Sequence, residues 1–330
     1  MKFLFSIKLL LISLVFSAPL LAEQFPQSLN EKKADQDIAL IYHKLAKNPK
    51  LDMLQRIKII SKYFIGKPYY LGALGEGVEA DIDQYPLYRS DAFDCLTYVE
   101  TVLSIAFSGN LKSFQQCIKA IRYKDGFVSF ATRNHFTSLD WNINNEKQHF
   151  LKDITPNIRD KKGHTLYITA SALINKPAWY AHFTKQDLRI SGLHSSDKVK
   201  RLSRLHQIGE QFKVEMAKIP YLPLTALFNE KGEANVSVFN QIPDGAIIEI
   251  VRPNWNLTGI IGTHLNVSHM GFAFWVDGHL IFRDASILNK MVADKALIEY
   301  LRSYLNSPTI KGINIQIVVP TKEGGRICEK

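Results

Sequence analysis

Cysteine is scarce in this chain: Cys95, Cys117 and Cys328 are the only three in 330 residues. Their spacing fits no zinc-binding pattern, so no metal is expected, and no motif calls for a cofactor. An odd count also rules out a fully paired disulfide framework and leaves at least one thiol free or paired between molecules. A bridge between Cys117 and Cys328 is possible but not forced. Long apolar runs are missing too. After residue 22 nothing approaches the roughly 20 apolar residues needed to span a bilayer. There is no internal repeat and no low-complexity tract. The net charge is +10, yet no aromatic-interleaved basic stripe accompanies it, which argues against nucleic acid as a partner. Hydrophobic residues at 46% and charged residues at 22% are ordinary for a folded chain and argue against disorder.

At the N-terminus, Lys2 and Lys8 precede the run "LLLISLVFSAPLLA", which closes at Ala22 before the polar "EQFPQS". A basic start, an apolar middle and a small final residue predict a signal peptide over 1–22. The mature protein is then exported, most simply to the periplasm or else secreted, with no membrane anchor after cleavage. No cysteine lies near the cut to carry a lipid. An exported basic protein tends to meet anionic envelope polymers.

Residues 23–330 read as one domain. "DQDIALIYHKLAK" and "LDMLQRIKIISKYF" carry apolar residues at spacings of three and four, as do stretches about 94–108 and 111–121, so four helices are predicted. The glycine-rich "GKPYYLGALGEG" between them supplies turns. The stretch about 140–235 reads as an insertion, with a basic helix candidate "SDKVKRLSRLHQIGEQFKVEMAK" interrupted by "IPYLPL". Then come "GAIIEIV", "SHMGFAFWV", "HLIFRDAS" and "GINIQIVV", short β-branched and aromatic runs. "VDG" is a hairpin signal, and "DKALIEYLRSYL" is a helix candidate. Helices first and an antiparallel sheet later predict an α+β fold.

Cys95 heads an apolar helical stripe, with Asp94 as a plausible N-cap. The first turn of a helix favours a thiolate, and its free amides can bind an oxyanion. The plain alternative is a small buried hydrophobe. A cysteine nucleophile needs a histidine base. His269 lies within a strand-like run and shares a face with Gly271 and Ala273 at period two, where the missing side chain leaves room for a thiol or substrate. Asp284, in the hairpin partner, can reach it across the strands and orient the ring.

The segments "GKPYYLGALGEG", "FDCLTYVETVLSIAF", "IRYKDG", "TRNHFTSLDW", "DGAIIEIV" and "SHMGF…RDAS" occur in an order that resembles the N-acetylmuramoyl-L-alanine amidase-like family. That family is a branch of the NlpC-type, papain-like cell-wall cysteine hydrolases, and the resemblance spans about residues 50–320. It implies a cysteine at a helix N-terminus packed on an antiparallel sheet that carries the histidine. The implied activity is hydrolysis of the amide between the muramic acid lactyl group and L-alanine in peptidoglycan fragments, 1,6-anhydro-muropeptides in particular. By position, Cys95 matches the nucleophile, His269 the base and Asp284 the third catalytic residue. The family pattern often has a histidine there, so the aspartate is a departure. Tyr69 matches a turn tyrosine beside the site. Arg133, His135 and Trp141, with Asp140, fall in a segment that would wall the substrate cleft. Asp94 and His264 are further candidates beside the substrate. Two rival readings stay open: an endopeptidase cutting between D-glutamate and diaminopimelate, and a non-catalytic envelope-binding protein with Cys95 in a disulfide.

Overall fold

The structure is a computed structural model that describes residues 27–190, 195–319 and 328. The expected signal peptide over 1–22 lies outside the described residues. Four helices open the described chain: α1 (Gln27–Ala46), α2 (Met53–Tyr63), α3 (Cys95–Ala106) and α4 (Leu111–Arg122). Local chemistry starts the last three. Asp52, Asp94 and Asn110 each accept from the backbone N–H three residues on, and the side chain at that position accepts from the cap's own N–H. Two otherwise orphaned donors are satisfied at each start.

The later chain forms β1 (Leu151–Asp153), β2 (Ile168–Asn175), β3 (Val214–Pro223), β4 (Ala246–Asn256), β5 (His264–Val276), β6 (His279–Ser286), β7 (Met291–Ala296) and β8 (Gly312–Val318). They make one antiparallel sheet in the order β2-β3-β8-β4-β5-β6-β7, with β1 also pairing with β8. Helices α5 (Lys176–Ala181) and α6 (Ser195–Glu210) lie between β2 and β3, and α7 (Leu297–Arg302) follows β7. The β5–β6 hairpin turns on Asp277 and Gly278, both at positive φ (49° and 78°), as the "VDG" signal requires.

The two faces of β5 feed two cores. Met270, Phe272 and Phe274 pack with Val99, Val102 and Leu103 of α3. Ala273, with Phe282 of β6, packs against Ile248 and Ile250 of β4 and Leu297 and Leu301 of α7. Each fully buried Val, Leu or Ile contributes roughly 1.5–3 kcal/mol. That burial clamps α3 to the sheet.

Two sequence expectations need correction. The basic helix stops at Glu210, and Val214–Pro223 is strand β3, which contains "IPYLP". Residues 214–221 pair along the whole of β2, and this ladder outweighs helical propensity. The helix expected over "DKALIEYLRSYL" shrinks to Leu297–Arg302, because Asp294 and Lys295 belong to β7. The stretch 140–235 supplies β1 and β3 to the main sheet through β8.

Cys117 and Cys328 form a disulfide, with Cα atoms 5.6 Å apart, and Cys95 is free. The premise of the structural-cysteine reading, a bridge from Cys95 to one of these partners, is therefore absent. Among the described residues no helix is long and apolar enough to cross a membrane.

Candidate active site

Cys95 is the first residue of α3 and is half-buried. Asp94 caps the helix through Oδ1, which accepts from Thr97 N–H at 2.8 Å, while Oδ2 accepts from Gly72 N–H at 3.0 Å. Tyr98 N–H donates to the Asp94 carbonyl. The N–H groups of Cys95 and Leu96 keep no acceptor among the described residues, as the first turn of a helix dictates. They are the donors available to an oxyanion formed at the thiol.

His269 stands beside Cys95 from β5, near enough for the thiol to help raise its pKa. On the other side of the ring, His269 Nε2 donates to Asp284 Oδ2 at 2.5 Å. That leaves Nδ1 as the ring nitrogen available to the thiol. The β5–β6 ladder ends at Phe272↔Arg283, so His269 lies just beyond the paired residues. Burial disfavours the imidazolium, but the hydrogen bonds to Asp284 and Cys95 more than offset it and hold His269 at about 9. Gly271 makes the carboxylate's approach feasible. A Cβ there would stand 2.6 Å from the Arg283 carbonyl oxygen and 2.7 Å from Asp284 Cβ.

One contributor was missed by the sequence reading. Lys295 Nζ donates to the same Asp284 Oδ2 at 2.9 Å, while Asp284 is wholly buried and its Oδ1 has no partner among the described residues. The sequence predicts helix at Lys295, and only the alternation along β7 puts it on the Asp284 face.

The remaining candidates separate. Tyr69 stays beside the thiol: burial, then the nearby Cys95 and Asp94, push its phenol up. Asp94 itself serves the backbone with both oxygens. Arg133 is occupied by Asp83 at 2.8 Å and by Glu76. With Asp140 it lines a surface cleft of about 370 Å³ whose lining includes none of Cys95, His269 and Asp284. The Asp140 carboxylate pairs with Lys176 at 2.7 Å. His135 stacks among Phe130 and Trp179, and its Nε2 donates to the Phe130 carbonyl at 2.7 Å. Burial, with Arg133 beside it, holds this imidazole well below 6.5 and neutral. Trp141 is a core residue, fully buried, with Nε1 donating to Glu100 at 3.1 Å. It is no cleft wall. His264 opens β5 opposite Asn256, five residues and roughly 17 Å along the strand from His269. Among the described residues no group of three His, Cys, Asp or Glu side chains converges as a metal-ligand set.

An antiparallel sheet packed on helices in this way defines a mixed α/β fold shared with amidase-class hydrolases. The chain belongs to the AmiA-like family, described as N-acetylmuramoyl-L-alanine amidase-like, whose model matches residues 59–310. The crystal structure of protein LPG0564 from Legionella pneumophila, a DUF1460 protein, is similar with a TM-score of 0.87 and 48% identity, covering 89% of this chain and 97% of that one. An N-acetylmuramoyl-L-alanine amidase from Bacteroides uniformis has the same fold, with a TM-score of 0.56 and 22% identity over 81% of this chain and 99% of that one. No curated protein matches the sequence.

Proposed function

We propose that this chain is an exported cysteine amidase of the NlpC-type, papain-like class. Its substrate is a peptidoglycan fragment, a 1,6-anhydro-muropeptide in particular, cut between the muramic acid lactyl group and L-alanine. The leader over 1–22 is removed and residues 23–330 act as one domain. The observation that carries the reading is the relay from Cys95 through His269 to Asp284, with the last bond at 2.5 Å.

The chemistry follows from that relay. The Cys95 thiolate attacks the lactyl carbonyl, and the amides of Cys95 and Leu96 hold the oxyanion. The imidazolium of His269 protonates the departing alanine nitrogen as the thioester forms. A water deprotonated by His269 then hydrolyses the thioester, and the thiol is restored. Asp284 fixes the tautomer and stabilises the imidazolium. Tyr69 lines the approach to the thiol.

Digestion of a defined anhydro-muropeptide, with products weighed by mass spectrometry, tests the proposal. The expected products are the sugar acid and a peptide beginning with free L-alanine, with none from Cys95→Ala. A sugar still carrying L-alanyl-D-glutamate would assign the endopeptidase cut instead.

A further inference from the structure

On β4, Ile250 is the register partner of His269, and Arg252 lies two residues further along, past a β-bulge. Two residues of strand cover roughly 7 Å. Several contacts place Arg252 on the same side of the sheet as the relay. It faces Tyr300 and Tyr304, which pack against the core that holds Ile250 and Phe282. Tyr300 stacks near Phe282 with centroids 5.5 Å apart, and Phe282 meets the His269 ring edge-on at 5.8 Å. Arg252 is thus joined to the imidazole through a short chain of rings.

The guanidinium is unusual in having no ion pair or hydrogen bond among the described residues. Among the described residues no carboxylate pairs with it, and its buried Nε has no hydrogen-bond partner. Its plane sits over Trp255, 4.2 Å from the ring centroid, which holds the fork in one orientation. Every other arginine described on this part of the sheet is occupied; Arg283, for instance, is paired with Asp294 at 2.6 Å. A half-buried, oriented, unpaired guanidinium beside a reaction centre suits a planar anion held by two parallel hydrogen bonds.

We infer that Arg252, oriented by Trp255, is the binding site for a free carboxylate on the leaving-peptide side of the scissile amide. The direction comes from the relay, and so the inference rests on the amidase reading. Cys95 keeps the acyl half and His269 hands its proton to the departing nitrogen, so the amine half extends along the His269 side, where Arg252 stands. In a stem that begins L-alanyl-γ-D-glutamyl, the first free carboxylate after that nitrogen is the α-carboxylate of D-glutamate. Arg252 therefore sets a preference for the acid over its carboxamide.

The test compares two defined muropeptides that differ only in having D-glutamate or D-isoglutamine at the second stem position. Wild type should favour the acid. Arg252→Gln should lower kcat/KM for the acid by about 10- to 100-fold, chiefly through KM, and change the amide substrate by less than about threefold. Arg252→Lys should recover part of the loss. Equal losses on both substrates, or none on either, would overturn the assignment. Calorimetric binding of the two peptides to Cys95→Ala gives a second readout that needs no turnover. Tighter binding of the acid that Arg252→Gln abolishes supports the subsite even if wild type cuts a different bond, and equal binding of acid and amide refutes it. Wild type that leaves the lactyl–alanine bond intact counts against the amidase reading alone.

Discussion

His269 and Lys295 meet on a single oxygen of Asp284, at 2.5 Å and 2.9 Å, while the other oxygen of that buried carboxylate has no partner among the described residues. A carboxylate buried with two cationic neighbours holds both in place, and the geometry next to the thiol depends on it.

Loss of the nucleophile should separate chemistry from folding. Cys95→Ala is expected to lower kcat by about 10⁴-fold or more on an anhydro-muropeptide. Its thermal midpoint should stay close to wild type, since the thiol is only half-buried. Retained turnover would remove Cys95 from the mechanism.

The pH profile reports the imidazole. His269 stands at about 9, above its ordinary 6.5, so the imidazolium that protonates the leaving nitrogen is lost as pH rises through about 9, and kcat/KM should fall there. Asp284→Asn removes one of the bonds that raise it, so this alkaline limb should move to lower pH and kcat should drop by about 10²–10⁴-fold. An unmoved limb would sever the link between the two residues. The same raised value stabilises the fold in full below about 6.5, and this contribution is lost as pH rises through about 9.

Lys295→Met tests the second cation on Asp284. With the ammonium gone, His269 is the one counter-charge left among the described residues, and a pH–rate profile should show a shifted alkaline limb together with a lower kcat. A change in stability with an unaltered profile would make Lys295 a packing residue.

Glu249 is a buried acid on β4 whose Oε1 has no partner among the described residues, and burial pushes it up to about 8. Between its ordinary 4.5 and about 8 the unfolded chain releases a proton that the folded chain keeps, so stability declines over that range. Glu249→Gln should remove the decline and stabilise the protein by about 1–3 kcal/mol at pH 8. Denaturant melts at pH 5 and pH 8 measure it; an equal gain at both would rule out the titration.

Severing Cys117–Cys328 in a Cys117→Ser variant should cost about 2–4 kcal/mol, because the bridge closes a long loop in the unfolded chain. Activity at low temperature should survive. A loss of kcat without a loss of stability would tie the bridge to the site instead.

The parts of the site visible in sequence were those set by local rules. Asp94 and Cys95 could be read because capping and a helical apolar stripe lie within a dozen residues. His269 and Asp284 could be read because period-two alternation and a two-residue turn fix which side chains face each other. Lys295 and Arg252 could not. The first needed β7 to be strand where its composition favours helix, and the second lies past the strand-like run "GAIIEIV", beside a register shift between β4 and β5. Trp141 misled for the opposite reason: a polar, loop-like neighbourhood gave no sign that the ring fills the core under α3.

Asp94 divides its carboxylate between the start of α3 and the amide of Gly72. For protein engineering this means that the reactive thiol is not a portable helix. Anyone grafting α3 into a new scaffold would have to carry the Gly72 segment with it, or redesign the cap and accept a helix that begins elsewhere.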